Sequence, residues 1–286
     1  MTTPIFEALN KSFPGIKIDA VGDKRSSLLL EFFPYVDKIF NKNKKANFRE
    51  MVLFIYLLRK IKYDLILDLR TPFLPFLLRG SKRITNYSKP NKNVHSVHQH
   101  FSILKGILSD WKNPPPCRLY LSNTVERALD VDYGLNSDNK FFVVAPGANW
   151  SEKIWPGVKF GRLIRAILEK NMATRVILLG SDFDAKISLD LETSVNNVLD
   201  LRGKTNLLEA ASIMNRAKLF IGNDSGLGHM AASVGCKTLT LFGPGNYQRY
   251  RPWHSEGTVL LSPNFRLENL AVDNVLEKVE GIMSCE

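Results

Sequence analysis

Four short segments in the second half of the sequence combine glycine with charged or hydroxyl side chains, and each follows an apolar run of strand length. They are residues 146–156, 180–184, 202–205 and 222–235. In parallel α/β sheets, ligands bind beyond the carboxyl ends of the strands, where such loops lie. Glycines let backbone N–H groups approach a phosphate closely, and a lysine adds a full positive charge. We therefore predict that these loops form an anion-binding site.

The first loop reads Pro-Gly-Ala-Asn-Trp-Ser-Glu-Lys-Ile-Trp-Pro, and its Lys153 is either a phosphate ligand or an ordinary surface lysine. The last loop begins Gly-Asn-Asp-Ser-Gly-Leu-Gly-His and leads into a helix of small residues. The N–H groups and dipole at the start of that helix suit a diphosphate. Asp224 is either a ligand or a helix cap, and His229 either faces the same anion or is a core histidine. The glycine spacing matches neither a Walker loop nor the dinucleotide fingerprint.

The two remaining loops are less distinctive. The segment Arg202-Gly-Lys-Thr205 either contacts the ligand or is an ordinary connection from a strand to a helix. In Gly180-Ser-Asp-Phe-Asp184, a carboxylate could accept hydrogen bonds from a ribose, or else cap a helix.

Strands and helices alternate around these loops, which indicates right-handed βαβ units on parallel sheets. In the second half we predict strands at 141–145, 174–179, 198–201, 219–222 and 237–242, and helices at 159–170, 184–195, 206–216, 227–234 and 267–283, with Thr205 as a cap. In the first half we predict strands at 16–21 and 63–69, and helices at 48–60 and 94–108.

A polar, turn-rich segment between Val131 and Lys140 predicts a domain boundary, which gives domains 1–137 and 138–286. The predicted fold class is α/β, with two Rossmann-like domains that face each other across a cleft.

The composition excludes several classes of protein. The longest apolar runs, 51–58 and 74–78, are too short to span a bilayer, and the N-terminus does not resemble a signal peptide. Three widely spaced cysteines form neither a disulfide framework nor a metal-ligand pattern, so we expect a cytoplasmic protein without a metal. The net charge of +11 is concentrated in residues 38–118 and predicts an anionic partner for the first domain. Because there is no nucleic-acid motif, we expect no nucleic-acid partner.

Together, the loops resemble glycosyltransferase family 9, the lipopolysaccharide heptosyltransferases. The matching residues are Pro-Gly-Ala…Lys-x-Trp-Pro at 146–156, Gly-Lys-Thr at 203–205, Asn-Asp-Ser-Gly-x-x-His at 223–229 and Leu-Phe-Gly-Pro at 241–244. Their order and spacing make the resemblance specific, and residues 2–15 are similar to the family's first helix.

The resemblance implies a GT-B fold, an ADP-heptose donor and an inverting transfer to a phosphorylated glycolipid, the lipid A–Kdo inner core. It implies that Lys153 holds the phosphates with Asn149 nearby, and that Thr205 lies against the adenine. Asp182 or Asp184 would contact the ribose. The residues that would line the pocket for the sugar and diphosphate are Asp224, Ser225, Gly226 and His229. Lys153 and the helix after Asp224 would stabilise the departing diphosphate without a metal or other cofactor.

The family normally begins with a strand and a glycine-rich loop ending in Gly-Asp, whose aspartate is thought to be the base for the acceptor hydroxyl. Both would precede Thr2, so we expect them upstream of Met1, which would then be an internal methionine. There are two alternatives: the gene is a decaying copy, or the missing aspartate is replaced as the base by Asp19, Asp23 or Asp68. Because that strand is central in the family, a chain beginning at Met1 should have two unpaired strand edges and should not transfer the sugar.

The sequence thus predicts a glycosyltransferase, with a catalytically inactive nucleotide or nucleotide-sugar binding protein as the alternative. The basic first domain suits a phosphorylated acceptor embedded in a membrane. We therefore expect peripheral attachment to the anionic inner face of the inner membrane.

Overall fold

The computed structural model describes residues 1–43, 45–70, 73–85, 91–125, 129, 133–135, 140–191, 197–253 and 257–284. The chain forms two compact units, Met1–Cys117 and Arg118–Glu286. The predicted domain boundary between residues 137 and 138 lies outside the described residues.

The second unit contains a six-stranded, fully parallel sheet. Its strands are β5 (Phe141–Ala145), β6 (Arg175–Leu178), β7 (Val198–Asp200), β8 (Leu219–Asn223), β9 (Thr238–Phe242) and β10 (Gly257–Leu261). They lie in the order β10-β9-β8-β5-β6-β7. Every residue of β5, β8 and β9 is buried, as expected for central strands covered on both faces.

The second unit also contains five helices within its described residues. They are Gly157–Glu169, Leu207–Arg216, Gly226–Ser233, Tyr247–Tyr250 and Val272–Met283. In the first of them, the buried residues Phe160, Leu163, Ile164 and Ile167 follow the spacing of one helical face, and they join the core that covers β5 and β8.

The chain order of the strands changes direction at β5. From β5 the sheet grows through β6 and β7 on one side and through β8, β9 and β10 on the other. The loops that follow β5 and β8 therefore leave the sheet at a topological switch point, where α/β proteins form a ligand crevice.

The first unit contains two separate two-stranded parallel sheets, β1-β2 and β3-β4. The strands are β1 (Ile18–Gly22), β2 (Val36–Asn41), β3 (Tyr63–Asp68) and β4 (Gly80–Thr85). Among the described residues, each of these four strands pairs with one neighbour, so each has one unpaired edge.

The helices of this unit are Thr3–Ser12, Lys24–Ser27, Phe48–Arg59, Leu74–Leu77 and Ser96–Phe101. The predicted helix at 94–108 is shorter than expected, because its regular part ends at Phe101 and continues as the 3-10 turn Ser102–Leu104. No helix in the described part of the chain has the length and apolar character needed to cross a bilayer.

The predicted helix at 184–195 is wrong over its described part. The structure has the 3-10 turn Asp184–Lys186, followed by irregular chain to residue 191. Here side chains bind the backbone carbonyls that a helix would use internally: Arg202 donates to the carbonyls of Asp184 (3.0 Å) and Ile187 (2.9 Å), and Arg165 donates to that of Asp190 (2.8 Å). The remainder of the predicted helix, residues 192–196, lies outside the described residues.

Candidate functional site

The loops after β5 and β8 bring a lysine and an aspartate together. The two strands are paired neighbours, with Ala145 opposite Gly222 at their carboxyl ends. Just beyond, the Nζ atom of Lys153 lies 2.5 Å from Oδ2 of Asp224. The side chains are 16% and 8% exposed, so this ion pair is largely removed from solvent. It is the centre of the candidate site.

Lys153 is positioned by aromatic residues on both sides of it in the loop. It ends the 3-10 turn Ser151–Lys153, and its Nζ atom lies 4.7 Å from the ring centroid of Trp150, which is 63% exposed. Trp155 is fully buried, and its indole N–H donates to the carbonyl of Leu270 at 3.0 Å. One tryptophan therefore anchors the loop in the core, while the other lies beside the cation at the surface.

Asn223 fastens this loop to β8. Its side chain is fully buried; Nδ2 donates to the carbonyl of Pro146 at 2.7 Å, and Oδ1 accepts from the backbone N–H of Trp155 at 3.1 Å. The amide thus holds both ends of the Lys153 loop. This asparagine belongs to the Asn-Asp-Ser-Gly motif, but the motif predicted no role for it. An amide at the end of an otherwise apolar strand, where burial demands hydrogen-bond partners, is the signal that could have identified it.

The segment after Asp224 presents the start of the Gly226–Ser233 helix. Ser225 occupies the N-cap position in an extended conformation, but its side chain makes no capping hydrogen bond. Its Oγ atom is buried and has no hydrogen-bond partner within the described residues. A hydroxyl and first-turn N–H groups of this kind are able to donate hydrogen bonds to an anion.

Gly245, which sequence analysis did not single out, closes the site from the loop after β9. A Cβ atom at this position would lie 2.7 Å from Oδ2 of Asp224 and 3.5 Å from Nζ of Lys153. Any side chain here would displace the ion pair. In the sequence, Gly245 is simply a glycine two residues after the Leu-Phe-Gly of the fourth motif. That position is a weak sign of a site residue, because only the fold shows that Asp224 and Lys153 lie next to it.

The predicted ribose carboxylates differ in their surroundings. Asp184 is occupied within the protein: its Oδ2 accepts from the backbone N–H (2.7 Å) and hydroxyl (2.8 Å) of Ser181. Its other oxygen packs so closely on Gly147 that a Cβ there would lie 1.9 Å away. Asp182 is exposed and lies against Gly203, which has a φ of +74° and leaves no room for a Cβ.

The other predicted ligands lie on the same edge of the sheet or on the adjoining helix. Asn149 is exposed in a bend of the Lys153 loop, and His229 is half-buried in the first turn of the Gly226–Ser233 helix. Thr205 is half-buried after β7. Its predicted role as a helix cap is wrong, because the cap is the next residue, Asn206, which forms a capping box with Glu209.

Arg202 braces the loops after β6 and β7. Its guanidinium pairs with both carboxylate oxygens of Asp200, at 2.9 and 2.7 Å, and also holds the two carbonyls described above. Burial raises the pKa of the Asp200 carboxyl, but the hydrogen bonds and charge of Arg202 outweigh burial, so the net pKa lies below its ordinary value. With its guanidinium fully engaged, Arg202 supports the loop conformation.

The three carboxylates considered as substitute bases all have partners in the first unit. Asp19 accepts from the hydroxyl of Tyr63 at 3.1 Å, Asp23 caps the Lys24–Ser27 helix, and Asp68 accepts from the backbone N–H of Arg70 at 2.7 Å. Over the described ranges of the chain, no three His, Cys, Asp or Glu side chains are grouped so that they could hold a metal ion.

Comparison with known proteins places this geometry in a family. The model of glycosyltransferase family 9 (heptosyltransferase) matches residues 78–280. Lipopolysaccharide heptosyltransferase 3 of Escherichia coli K12 is 24% identical over 88% of this chain and 81% of its own length. Lipooligosaccharide heptosyltransferase 2 of Haemophilus influenzae is 24% identical over 91% of this chain and 84% of its own.

Solved structures agree on the fold. ADP-heptose lipopolysaccharide heptosyltransferase II of E. coli has a TM-score of 0.83 at 21% identity, covering 99% of this chain and 94% of its own. A family 9 glycosyltransferase from Veillonella parvula has a TM-score of 0.87 at 19% identity, covering 100% and 93%. The fold is therefore of the GT-B type predicted from the sequence. Since the family model also spans most of its length, the chain belongs to glycosyltransferase family 9, the heptosyltransferases.

Proposed function

We propose that this protein transfers a heptose from ADP-heptose, with inversion, to the lipid A–Kdo inner core of lipopolysaccharide. The observation that carries the proposal is the Lys153–Asp224 pair beside a helix N-terminus at the switch point of a family 9 fold. The names of the relatives support a heptose as the sugar and lipopolysaccharide as the acceptor, and an E. coli heptosyltransferase of the same fold was solved with ADP.

In this proposal the diphosphate of the donor binds between Lys153 and the start of the Gly226–Ser233 helix. The helix contributes backbone N–H groups and the positive end of its dipole, and Ser225 contributes a buried hydroxyl. Asp224 holds the ammonium group of Lys153 in place at 2.5 Å before the donor arrives. Gly226, which has open space around it, lets the phosphates approach the backbone.

The remaining donor contacts follow from the order of the loops. Asn149 and His229 adjoin the diphosphate, the exposed Asp182 accepts hydrogen bonds from the ribose hydroxyls, and Thr205 lies against the adenine. Asp182 is preferred over Asp184 because Asp184 is already occupied by Ser181.

Transfer breaks the bond between the anomeric carbon and the oxygen of the distal phosphate, so negative charge builds up on the departing ADP. Lys153 and the helix N-terminus stabilise that charge in a site shielded from water. The acceptor hydroxyl attacks the anomeric carbon from the face opposite the departing ADP, and this attack inverts the configuration. The hydroxyl gives its proton to a general base.

The first unit is assigned to the acceptor, and the predicted domains 1–137 and 138–286 divide the acceptor and donor roles. Its excess of basic residues suits phosphorylated glycolipid and the anionic headgroups around it. We place the protein in the cytoplasm, peripherally attached to the inner face of the inner membrane.

The test is a transfer assay with protein expressed from its full reading frame. ADP-heptose and a lipid A–Kdo acceptor are supplied, and product mass and ADP release are measured for wild type, Lys153→Met and the control Lys170→Met. We expect Lys153→Met to lower the turnover rate by about 10²–10³-fold and the control to match wild type. ADP binding without any transfer would instead identify a nucleotide-binding protein, and faster transfer from a UDP- or GDP-sugar would refute the donor.

A further inference from the structure

One face of the Phe48–Arg59 helix is apolar and exposed. The large side chains on it include Phe48, Leu53 and Tyr56, which are 83%, 66% and 63% exposed. Val52 and Leu57 extend the same face. Soluble monomers rarely expose contiguous apolar surface of this kind unless it binds something.

The outward face is not needed to hold the helix in place. A different set of residues, Met51, Phe54, Ile55 and Leu58, points inward, and Leu58 is only 1% exposed. The helix is therefore apolar on both sides, whereas a surface helix normally has one apolar stripe. Its start is fixed locally by a capping box at Asn47.

A second group of exposed apolar residues lies beside this helix. Phe73, Phe76 and Leu77 are 77%, 62% and 45% exposed. The guanidinium of Arg59 donates to the carbonyl of Leu77, which brings the C-terminal end of the long helix next to the short helix Leu74–Leu77. Of the sixteen large apolar side chains that are exposed among the described residues, eight lie between positions 48 and 77. We call these eight residues the apolar patch.

Basic residues flank the apolar patch along the chain. Between positions 45 and 82 the sequence has eight Lys and Arg against three Asp and Glu, a net charge of +5. All eight cations are exposed: Lys45, Arg49, Arg59, Lys60, Lys62, Arg70, Arg79 and Lys82. Lys60 lies 5.4 Å from the ring centroid of Tyr56, which joins the charged rim directly to the apolar face.

We propose that the apolar patch docks into the surface of an anionic lipid bilayer, with the basic rim on the headgroups. An apolar helix face bordered by Lys and Arg is the pattern of helices that lie in the plane of a membrane interface. Each cation near an anionic surface adds to the attraction, and the apolar side chains enter the acyl boundary. This inference rests on the membrane attachment proposed above and specifies the surface that makes it.

The test is flotation of the purified full-length protein with phosphatidylglycerol-containing vesicles and with phosphatidylcholine vesicles. The variant is the double substitution Leu53→Ser/Tyr56→Ser. The control is Phe265→Ser, which removes an aromatic ring that is 62% exposed in the second unit. Circular dichroism and ADP titration verify that each variant is folded. We expect the double variant to bind anionic vesicles at least about tenfold more weakly, while the control binds like wild type.

A charge variant, Arg49→Gln/Lys60→Gln, should also weaken binding to anionic vesicles, and added salt should weaken it further. Equal binding by wild type and the double variant would overturn the proposal while leaving membrane attachment intact. Failure of wild type to bind anionic vesicles would overturn both. A double variant that binds vesicles normally but breaks a dimer in sedimentation velocity would assign the apolar patch to a second copy of the chain. If the wild-type protein binds vesicles but does not bind ADP, only the proposed donor site would be refuted.

Discussion

Replacing Lys153 by methionine should destabilise the second unit, because it leaves the carboxylate of Asp224 without its cation. The Asp224 side chain is only 8% exposed, and its distance of 2.5 Å to the ammonium group shows that the two charges are in direct contact. Removing one partner of a buried pair typically costs 3–5 kcal/mol, and we expect about 3 kcal/mol here since Lys153 is 16% exposed.

The chain offers a matched control in Lys170, which lies 2.6 Å from Glu280 in a pair with 53% and 43% exposed side chains. Because exposed pairs are well solvated, Lys170→Met should lower the free energy of unfolding by about 1 kcal/mol or less. The double variant Lys153→Met/Asp224→Asn should recover part of the loss by removing the stranded charge.

Urea unfolding followed by circular dichroism compares the three variants with wild type. The reasoning would be refuted if Lys153→Met and Lys170→Met lowered the free energy of unfolding by the same small amount. It would also fail if the double variant were less stable than the Lys153→Met single variant, since then the carboxylate would not be the source of the cost.

Other expected outcomes follow from single contacts. Gly245→Ala should displace the Lys153 ion pair and weaken ADP binding measured by calorimetry, because its Cβ would lie 2.7 Å from a carboxylate oxygen of Asp224. The control is Gly281→Ala, which adds a Cβ in open space on a helix and should leave ADP affinity unchanged. Burial, together with the hydrogen bond to Asp19 and the charge of that carboxylate, raises the pKa of Tyr63 to about 12. The difference between the ultraviolet titrations of wild type and Tyr63→Phe should therefore show one phenol that ionises near that pH, and Asp19→Asn should move its pKa toward about 10. A pKa near 10 for this phenol in wild type would contradict the prediction. The lowered pKa of Asp200 contributes stability that is present above the ordinary aspartate pKa of about 3.9 and is lost as the pH falls through the lower folded value. The melting temperature of Asp200→Asn should therefore fall less than that of wild type between about pH 5 and pH 3. Equal falls in melting temperature would show that this carboxylate does not contribute to the pH dependence of stability.

The strands of the second unit were largely predictable, because buried parallel strands are nearly continuous apolar runs. Strands β5, β8 and β9 were predicted to within one residue at each end. The strands that the sequence did not reveal, β2, β4 and β10, each have a single partner within the described residues. In β2 and β4 the half-exposed positions hold polar residues, such as Asp37 and Lys38 in Val36–Asn41, so the apolar run is interrupted.

The loops were predictable in kind, whereas their mutual contacts were not. Lys153 and Asp224 were singled out separately because glycine and charge follow a strand in each case. Their direct contact depends on the order of β5 and β8 in the sheet, and 71 residues separate them in the chain. Asn223 was missed for the same reason, because its partners lie 68 and 77 residues away. The false helix after Asp184 has apolar spacing, but arginines from elsewhere bind its carbonyls.

The most direct test of the donor site is a calorimetric titration of ADP into wild type, Lys153→Met and Lys170→Met, each verified as folded at the temperature used. Removing a charge-assisted contact to phosphate should weaken ADP binding by about tenfold or more in Lys153→Met, while Lys170→Met matches wild type. Equal ADP affinities in all three proteins would contradict the account, because the lysine paired with Asp224 would then take no part in holding the diphosphate.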